Sequence, residues 1–149
     1  MKEKDHSIFD AINRRDDALL SIILTHQGYP QGATRYGKTP LTQAACFGSG
    51  KAIQLLLDHG APIDQMDKDE DWPLQVAIYS ENEEATRCLL ENGADIHLSN
   101  EAGVTSYTVA EDRFPQALDW LNAAKARCDA AQLNEATTRI ANGHKMPRL

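Results

Sequence analysis

A short glycine-rich run at residues 48–52, Gly-Ser-Gly-Lys-Ala, is the first place where the sequence suggests chemistry. A phosphate-binding loop has a glycine five positions before the glycine that precedes its lysine, and a hydroxyl residue after the lysine to hold magnesium. Ala45 and Ala52 occupy these two positions. The run therefore predicts a turn between two helices rather than a nucleotide site.

The acidic run at residues 67–71, Asp-Lys-Asp-Glu-Asp, is similar to the beginning of a calcium-binding loop. Such a loop needs glycine at its sixth position, where the chain turns sharply, and a bidentate glutamate at its twelfth. Trp72 and Ile78 stand at those positions. We therefore expect a solvated acidic hairpin, with weak cation binding as the alternative.

The histidines and cysteines show no pattern of metal ligation or nucleophilic catalysis. No two histidines are three or four residues apart, the spacings that place two ligands on one helix face. The cysteines are widely separated and form no Cys-x-x-Cys pair, which fits reduced thiols in a cytosolic protein. We expect no enzymatic activity, no metal, no cofactor and a cytoplasmic location. The residues concerned are His6, His26, His59, His97, His144, Cys46, Cys88 and Cys128.

Length and charge limit the remaining possibilities. The chain has 149 residues, enough for one domain or one short repeat array, and 42% of them are hydrophobic. Residues 1–124 carry a net charge of −10 and residues 125–149 a net charge of +3. The acidic body argues against nucleic-acid binding and is compatible with a basic protein partner. With no run of about 20 apolar residues, we expect no membrane span. The N-terminal residues MKEKDHSIFD contain no apolar run, so we expect no secretory signal.

The elements that would position any site follow from an internal repeat of 33 residues. Eight identities recur at this offset, and they include Pro40 with Pro73 and Ala44 with Ala77. They predict four units near 1–33, 34–66, 67–99 and 100–124, a terminal helix that runs to 141, and a tail at 142–149. Together the units and the helix form a single repeat domain over 1–141.

Each complete unit is typical of two short helices joined by a turn. In the second unit, Thr39 is a good helix cap, and Pro40 suits the first turn of a helix that continues to about Phe47. A second helix over 51–58 ends at a glycine. Such a pair cannot bury its apolar faces alone, so the pattern predicts an all-α stack of helical hairpins.

These motifs resemble the ankyrin repeat, whose unit has a T-P-L-H-x-A helix start and an L-L-x-x-G-A end. The second unit reads T-P-L-T-Q-A with L-L-D-H-G-A, and the third W-P-L-Q-V-A with L-L-E-N-G-A. Thr42 and Gln75 replace the histidine of the family, Trp72 replaces a threonine, and Glu70 replaces a turn glycine. The resemblance implies an ankyrin-type solenoid of about four repeats with short hairpin loops, acting in protein–protein recognition.

The repeat period then assigns exposed positions to the concave face of the solenoid. Aromatic and arginine side chains on that face are typical interface residues, and the acidic hairpin would attract a basic partner. The predicted contact residues are Arg35, Tyr36, Lys38, Phe47, Lys68, Asp69, Asp71, Trp72, Tyr79 and Arg113. We expect the basic C-terminal segment to form a capping helix with a frayed tail. The alternative is a partner-binding tail that uses Arg139, Lys145 and Arg148.

The expected function is non-catalytic binding of another protein. A free-standing module of this size, monomeric when free, suits an inhibitor or immunity-type protein that covers a toxin or an enzyme. The alternative is an adaptor or assembly factor that binds a peptide or a protein without inhibiting it.

Overall fold

The computed structural model describes residues 2–32 and 34–141 of the chain. Within these residues it contains eight α-helices and no strand, with two isolated antiparallel bridges, Arg35 with Lys38 and Ser99 with Thr105. The helices are α1 (Lys2–Asn13), α2 (Asp17–Gln27), α3 (Pro40–Phe47), α4 (Gly50–Asp58), α5 (Pro73–Tyr79), α6 (Glu83–Glu91), α7 (Ser106–Arg113) and α8 (Ala117–Ala141).

The helices pack as four consecutive pairs. The first helices of the pairs, α1, α3, α5 and α7, form one row in which each contacts the next, and the second helices form a parallel row. The predicted all-α solenoid of about four helical hairpins with a longer C-terminal helix is confirmed. The predicted tail at 142–149 and the side chain of Arg139 lie outside the described residues.

The helix starts are set by capping side chains at equivalent positions of the repeat. The Thr39 hydroxyl accepts from the Thr42 N–H at 3.2 Å, and the Thr105 hydroxyl accepts from the Thr108 N–H at 3.3 Å. Trp72 stands at the same position before α5 and makes no side-chain cap. Pro73, whose missing N–H is not needed in the first turn, still favours the start of that helix.

The core follows the repeat period. Ala44, Ala77 and Ala110 are fully buried at equivalent positions of the first helices, where a larger side chain would push the row apart. Leu56 and Leu89 are fully buried at equivalent positions of the second helices. The residues whose repetition defined the units are thus fully buried between the helices.

The apolar stripe predicted for the C-terminal helix is correct only for its first half. Leu121 and Ala124 are buried against the body of the protein, and Leu118 is half-buried. Cys128 and Ala131 are exposed, as are all the other residues over 125–137. The helix therefore caps the stack as far as Ala124 and then extends beyond it.

The hairpins that begin the third and fourth units have the same internal brace. The Asp67 carboxylate accepts from the backbone N–H groups two and four residues later at 2.9 and 3.0 Å. The Asn100 amide oxygen accepts from the corresponding N–H groups at 3.1 and 3.0 Å. Both turns need a left-handed residue, which is Glu70 (φ 64°) in one and Gly103 (φ 75°) in the other.

Replacing Glu70 with glycine is expected to increase the free energy of unfolding by about 0.5–1 kcal/mol. A left-handed backbone is unfavourable for a residue with a Cβ atom and unstrained for glycine. Urea denaturation checks the prediction, with Glu101→Gly, in the next hairpin and outside the left-handed region, as the control. A Glu70→Gly variant no more stable than the wild type would contradict it.

Candidate functional site

A groove of about 560 Å³ runs along the row of first helices, between α3, α5 and α7. We call it the concave groove. Apolar atoms contribute most of its surface, and polar side chains contribute the rest. Its lining consists of Lys38, Thr42, Gln43, Cys46, Phe47, Asp71, Gln75, Val76, Tyr79, Ser80, Asn100, Val104 and Val109.

The residues of the concave groove occupy equivalent positions of successive units. Cys46 and Tyr79 are one period apart, as are Phe47 and Ser80. Gln43, Val76 and Val109 form a third set, which the sequence analysis missed because two of its members are apolar and look like core residues. The 33-residue period could have identified these positions, because Gln43 is a polar member of the same set and the other two follow from it.

The structure brings part of the predicted contact set together. Lys38, Phe47, Asp71 and Tyr79 line the concave groove, and Phe47 and Tyr79 are 56% and 58% exposed. Arg113 lies beside them, because its guanidinium carbon is 4.5 Å from the centre of the Tyr79 ring. Such a cation–π contact attracts the arginine to the face of the ring, by about 0.5–1 kcal/mol at an exposed site.

The other predicted residues lie outside the groove. Tyr36 is at the tip of the second unit's hairpin and Arg35 is at its base, and Lys68 and Asp69 are exposed on the next hairpin. Trp72 is half-buried at the start of α5, and its indole N–H is buried without a hydrogen-bond partner among the described residues. The indole N–H is therefore not exposed, although the rest of the ring is partly exposed.

The acidic hairpin surrounds a lysine from the preceding unit. The Lys38 ammonium lies 3.0 Å from Asp67 Oδ2 and 3.2 Å from a carboxylate oxygen of both Asp69 and Asp71. Burial by itself lowers the pKa of Lys38, but the bonds to the three carboxylates outweigh it and raise this pKa above its ordinary value. Lys38 is therefore charged at neutral pH and holds two hairpins together.

The prediction of a solvated acidic hairpin is wrong for Asp67, which is buried, and correct for Asp69 and Asp71. The Asp67 side chain has no exposed surface, whereas the side chains of Asp69 and Asp71 are 60% and 42% exposed. The three carboxylates are the one group among the described residues with enough convergent ligands for a metal ion. The Lys38 ammonium occupies the position that a cation would take.

The two residues that replace the ankyrin histidine behave differently. Gln75 is buried and donates from Nε2 to the carbonyl oxygens of Leu98 and Val104, at 3.1 and 3.0 Å, which joins α5 to the following hairpin. The Thr42 hydroxyl instead donates to the Thr39 carbonyl at the start of its own helix. The Thr42 hydroxyl therefore does not join its helix to the following hairpin. Lys38 bridges this junction, between the second and third units, instead.

Residues 48 and 49 form the predicted turn between α3 and α4, and residues 50–52 are already the first turn of α4. Ser49 caps α4 by accepting from the Ala52 N–H at 3.0 Å, and it donates to the Asp17 carboxylate at 2.8 Å. Its hydroxyl is thus fully used by the fold. No helix in the described part of the chain is long and apolar enough to cross a bilayer.

Comparison with known proteins agrees with this architecture. A family model described as ankyrin repeats, in three copies, matches residues 8–100, which is more than half of the chain. Ankyrin repeat and SAM domain-containing protein 6 of Mus musculus is 38% identical over 72 residues, covering 48% of this chain and 8% of that protein.

Two other relatives give similar values. Protein phosphatase 1 regulatory subunit 12A of Mus musculus is 34% identical over 76 residues, covering 51% of this chain and 7% of its own length. Rabankyrin-5 of Homo sapiens is 33% identical over 85 residues, covering 56% of this chain and 7% of its own length. The chain thus matches less than a tenth of each of these relatives.

Proposed function

The chain belongs to the ankyrin repeat family, and from this premise we propose that it binds another protein at the concave groove and neutralises it. Repeats of this family indicate a protein–protein interaction module and are typically non-catalytic scaffolds. We propose further that the chain catalyses no reaction, is monomeric when free and acts in the cytoplasm. Its three free cysteines support the cytoplasmic location.

The concave groove is the observation that carries the proposal. It combines a mostly apolar surface with two exposed aromatic rings, and Arg113 lies over one of these rings. Rigid aromatic side chains bury a large area at low entropic cost and dominate binding energies at interfaces. A groove of this size and lining favours a partner that presents apolar side chains.

Charge at one end of the groove favours a partner with a basic surface. We call Lys38 and the three carboxylates around it, those of Asp67, Asp69 and Asp71, the Lys38 cluster. One lysine faces three carboxylates in it, so the hairpin keeps an excess of negative charge. Asp69 and Asp71 are the members that reach solvent. Basic residues next to an apolar anchor would complement both parts of the surface.

Tyr79→Ala is expected to weaken binding of the partner by at least about tenfold, the effect of losing one aromatic hot spot. The partner is first recovered by affinity purification with the wild-type chain, identified by mass spectrometry and purified. Calorimetry then compares the variant with the wild type. Ile22→Ala, which removes an exposed apolar side chain from α2, is the control and should bind normally.

Protection of the Cys46 thiol from alkylation gives a second measurement, since Cys46 lines the groove. With the other two cysteines replaced by serine, the bound partner should slow the labelling of Cys46. Normal binding by Tyr79→Ala together with unprotected Cys46 would place the interface elsewhere and contradict the proposal.

Neutralisation and adaptor function differ in what happens to the partner. If the chain neutralises the partner, a stoichiometric amount of the chain abolishes the partner's own activity. An adaptor would bind a short peptide of that partner with the full affinity and leave its activity intact. Assaying the purified partner with and without the chain separates the two functions.

A further inference from the structure

The hairpin of the second unit turns differently from the other two that follow it. Arg35 and Lys38 exchange two backbone hydrogen bonds of 3.0 Å, and the two residues between them, Tyr36 and Gly37, have φ values of 53° and 80°. This is a two-residue hairpin of the type I′ class, which strongly favours Asn, Asp or Gly at its first central position. A tyrosine there is unfavourable for the turn.

The tyrosine ring contributes little to the folded structure. Tyr36 is 91% exposed, and the Arg35 guanidinium carbon lies 5.8 Å from the centre of its ring, at the outer limit of a cation–π contact. In the third and fourth units the equivalent residues are Asp69 and Ala102, and neither has a left-handed backbone. Among the three hairpins, a left-handed residue at this position is therefore specific to the second unit, and fold stability gives no reason for a tyrosine there.

The base of this hairpin is held firmly. Arg35 Nη1 donates to the Asp10 carboxylate at 2.7 Å, which ties the hairpin to α1. Lys38, on the other side of the turn, is bound by the three carboxylates of the next hairpin and also lines the concave groove. The Tyr36 ring thus projects from a fixed support near one end of the groove, which limits the entropy lost when it binds.

We infer that Tyr36 inserts into a recess on the surface of a folded protein partner. This inference rests on the proposed function and specifies its partner. A ring that is almost fully exposed on a protruding turn needs a concave surface to bury it, and a short peptide does not form one. The recess would have apolar walls and a hydrogen-bond acceptor for the phenol group. Such an insertion suits a chain that blocks a cleft.

The test compares two variants that relieve the same backbone strain, Tyr36→Asn and Glu81→Asn. Glu81 has a φ of 54° in the turn between α5 and α6, and its exposed side chain is at the opposite end of α5 from the hairpins. Thermal and urea denaturation should show both variants more stable than the wild type, with a folding equilibrium constant raised about fivefold. This measurement needs no partner.

Binding is then measured by calorimetry with the purified protein recovered on the wild-type chain. Tyr36→Asn should weaken binding at least tenfold, Glu81→Asn should leave it unchanged, and Tyr36→Phe, which keeps the ring, should lose much less than Tyr36→Asn. Peptides that tile the sequence of that protein should not bind with comparable affinity.

The outcomes separate the inference from the proposed function. Normal binding by Tyr36→Asn, together with weakened binding by Tyr79→Ala, would overturn the insertion of Tyr36 and leave the concave groove as the site. A tiling peptide that binds as tightly as the folded protein would also overturn it. If the wild-type chain recovers no partner, the proposed function fails, and the inference fails with it.

Discussion

Lys38→Met is expected to reduce the free energy of unfolding by roughly 2–3 kcal/mol at neutral pH. Methionine keeps most of the apolar stem and removes only the ammonium, so Asp67 is left as a buried carboxylate without its counter-ion. Breaking a buried pair by removing one partner is strongly destabilising. We place the effect below the largest measured values because the Lys38 side chain is itself 30% exposed.

The predicted loss comes mainly from Asp67, and a second substitution tests this. In the next hairpin a neutral asparagine, Asn100, accepts the same two backbone N–H groups as Asp67 does. Adding Asp67→Asn to Lys38→Met should therefore recover much of the lost stability. Urea denaturation of both single variants and the double variant forms a double-mutant cycle. Equal stability of Lys38→Met and the double variant would show that the buried charge is not the cause.

The pH dependence of this contribution follows from the direction of the Lys38 shift. The folded protein raises the pKa of Lys38 above its value in the unfolded chain. The stabilisation is therefore fully present below the ordinary lysine pKa of 10.5 and is lost only as the pH rises through the raised value. The difference in stability between wild type and Lys38→Met should accordingly stay constant through the neutral range and shrink in strong alkali.

The sequence predicted the fold well because the residues that repeat are the ones that pack in the core. Ala44 and Leu56 recur one period later as Ala77 and Leu89, and all four are fully buried in helices that contact the next unit. One period therefore reveals the helix pairs, their order and their stacking. The same period placed Phe47 and Tyr79 on one face, and the structure brings both into the concave groove.

Other features of the site could not be predicted, for physical reasons. The Lys38 cluster joins groups that belong to two hairpins, and no pattern of residue types records how a lysine side chain turns toward a neighbour. The turn at Tyr36 is two residues long, whereas the turns of the next two units are longer, although the 33-residue spacing is unchanged. Side-chain rotamers and turn types are set by local geometry, which a repeat pattern does not contain.

Adjacent units are joined by different chemistry at successive junctions. Lys38 bridges the second and third units, whereas Gln75 bridges the third and fourth. Two cation–π contacts, Arg113 with Tyr79 and Arg87 with Trp120, also connect the last two units. Since stability in a repeat array is close to a sum of unit and interface terms, each junction can be weakened separately.

Gln75→Leu is expected to reduce the free energy of unfolding by about 2 kcal/mol. Leucine has a similar volume and stays compatible with the buried site, but it removes both hydrogen bonds to the following hairpin and leaves the Leu98 carbonyl without that donor. Because the bonds hold the fourth unit, that unit should open first. Hydrogen exchange should therefore show amides of α7 losing more protection than amides of α3.

Gln75→His is the matched control for this substitution. Histidine is the usual ankyrin residue at this position, and its ring N–H can donate to the same hairpin, so the variant should retain most of the stability that leucine loses. Circular dichroism in urea gives the overall loss, and hydrogen exchange locates it. If Gln75→Leu were as stable as the wild type, or if α3 and α7 lost protection equally, the Gln75 bonds would not be what holds the last unit to the array.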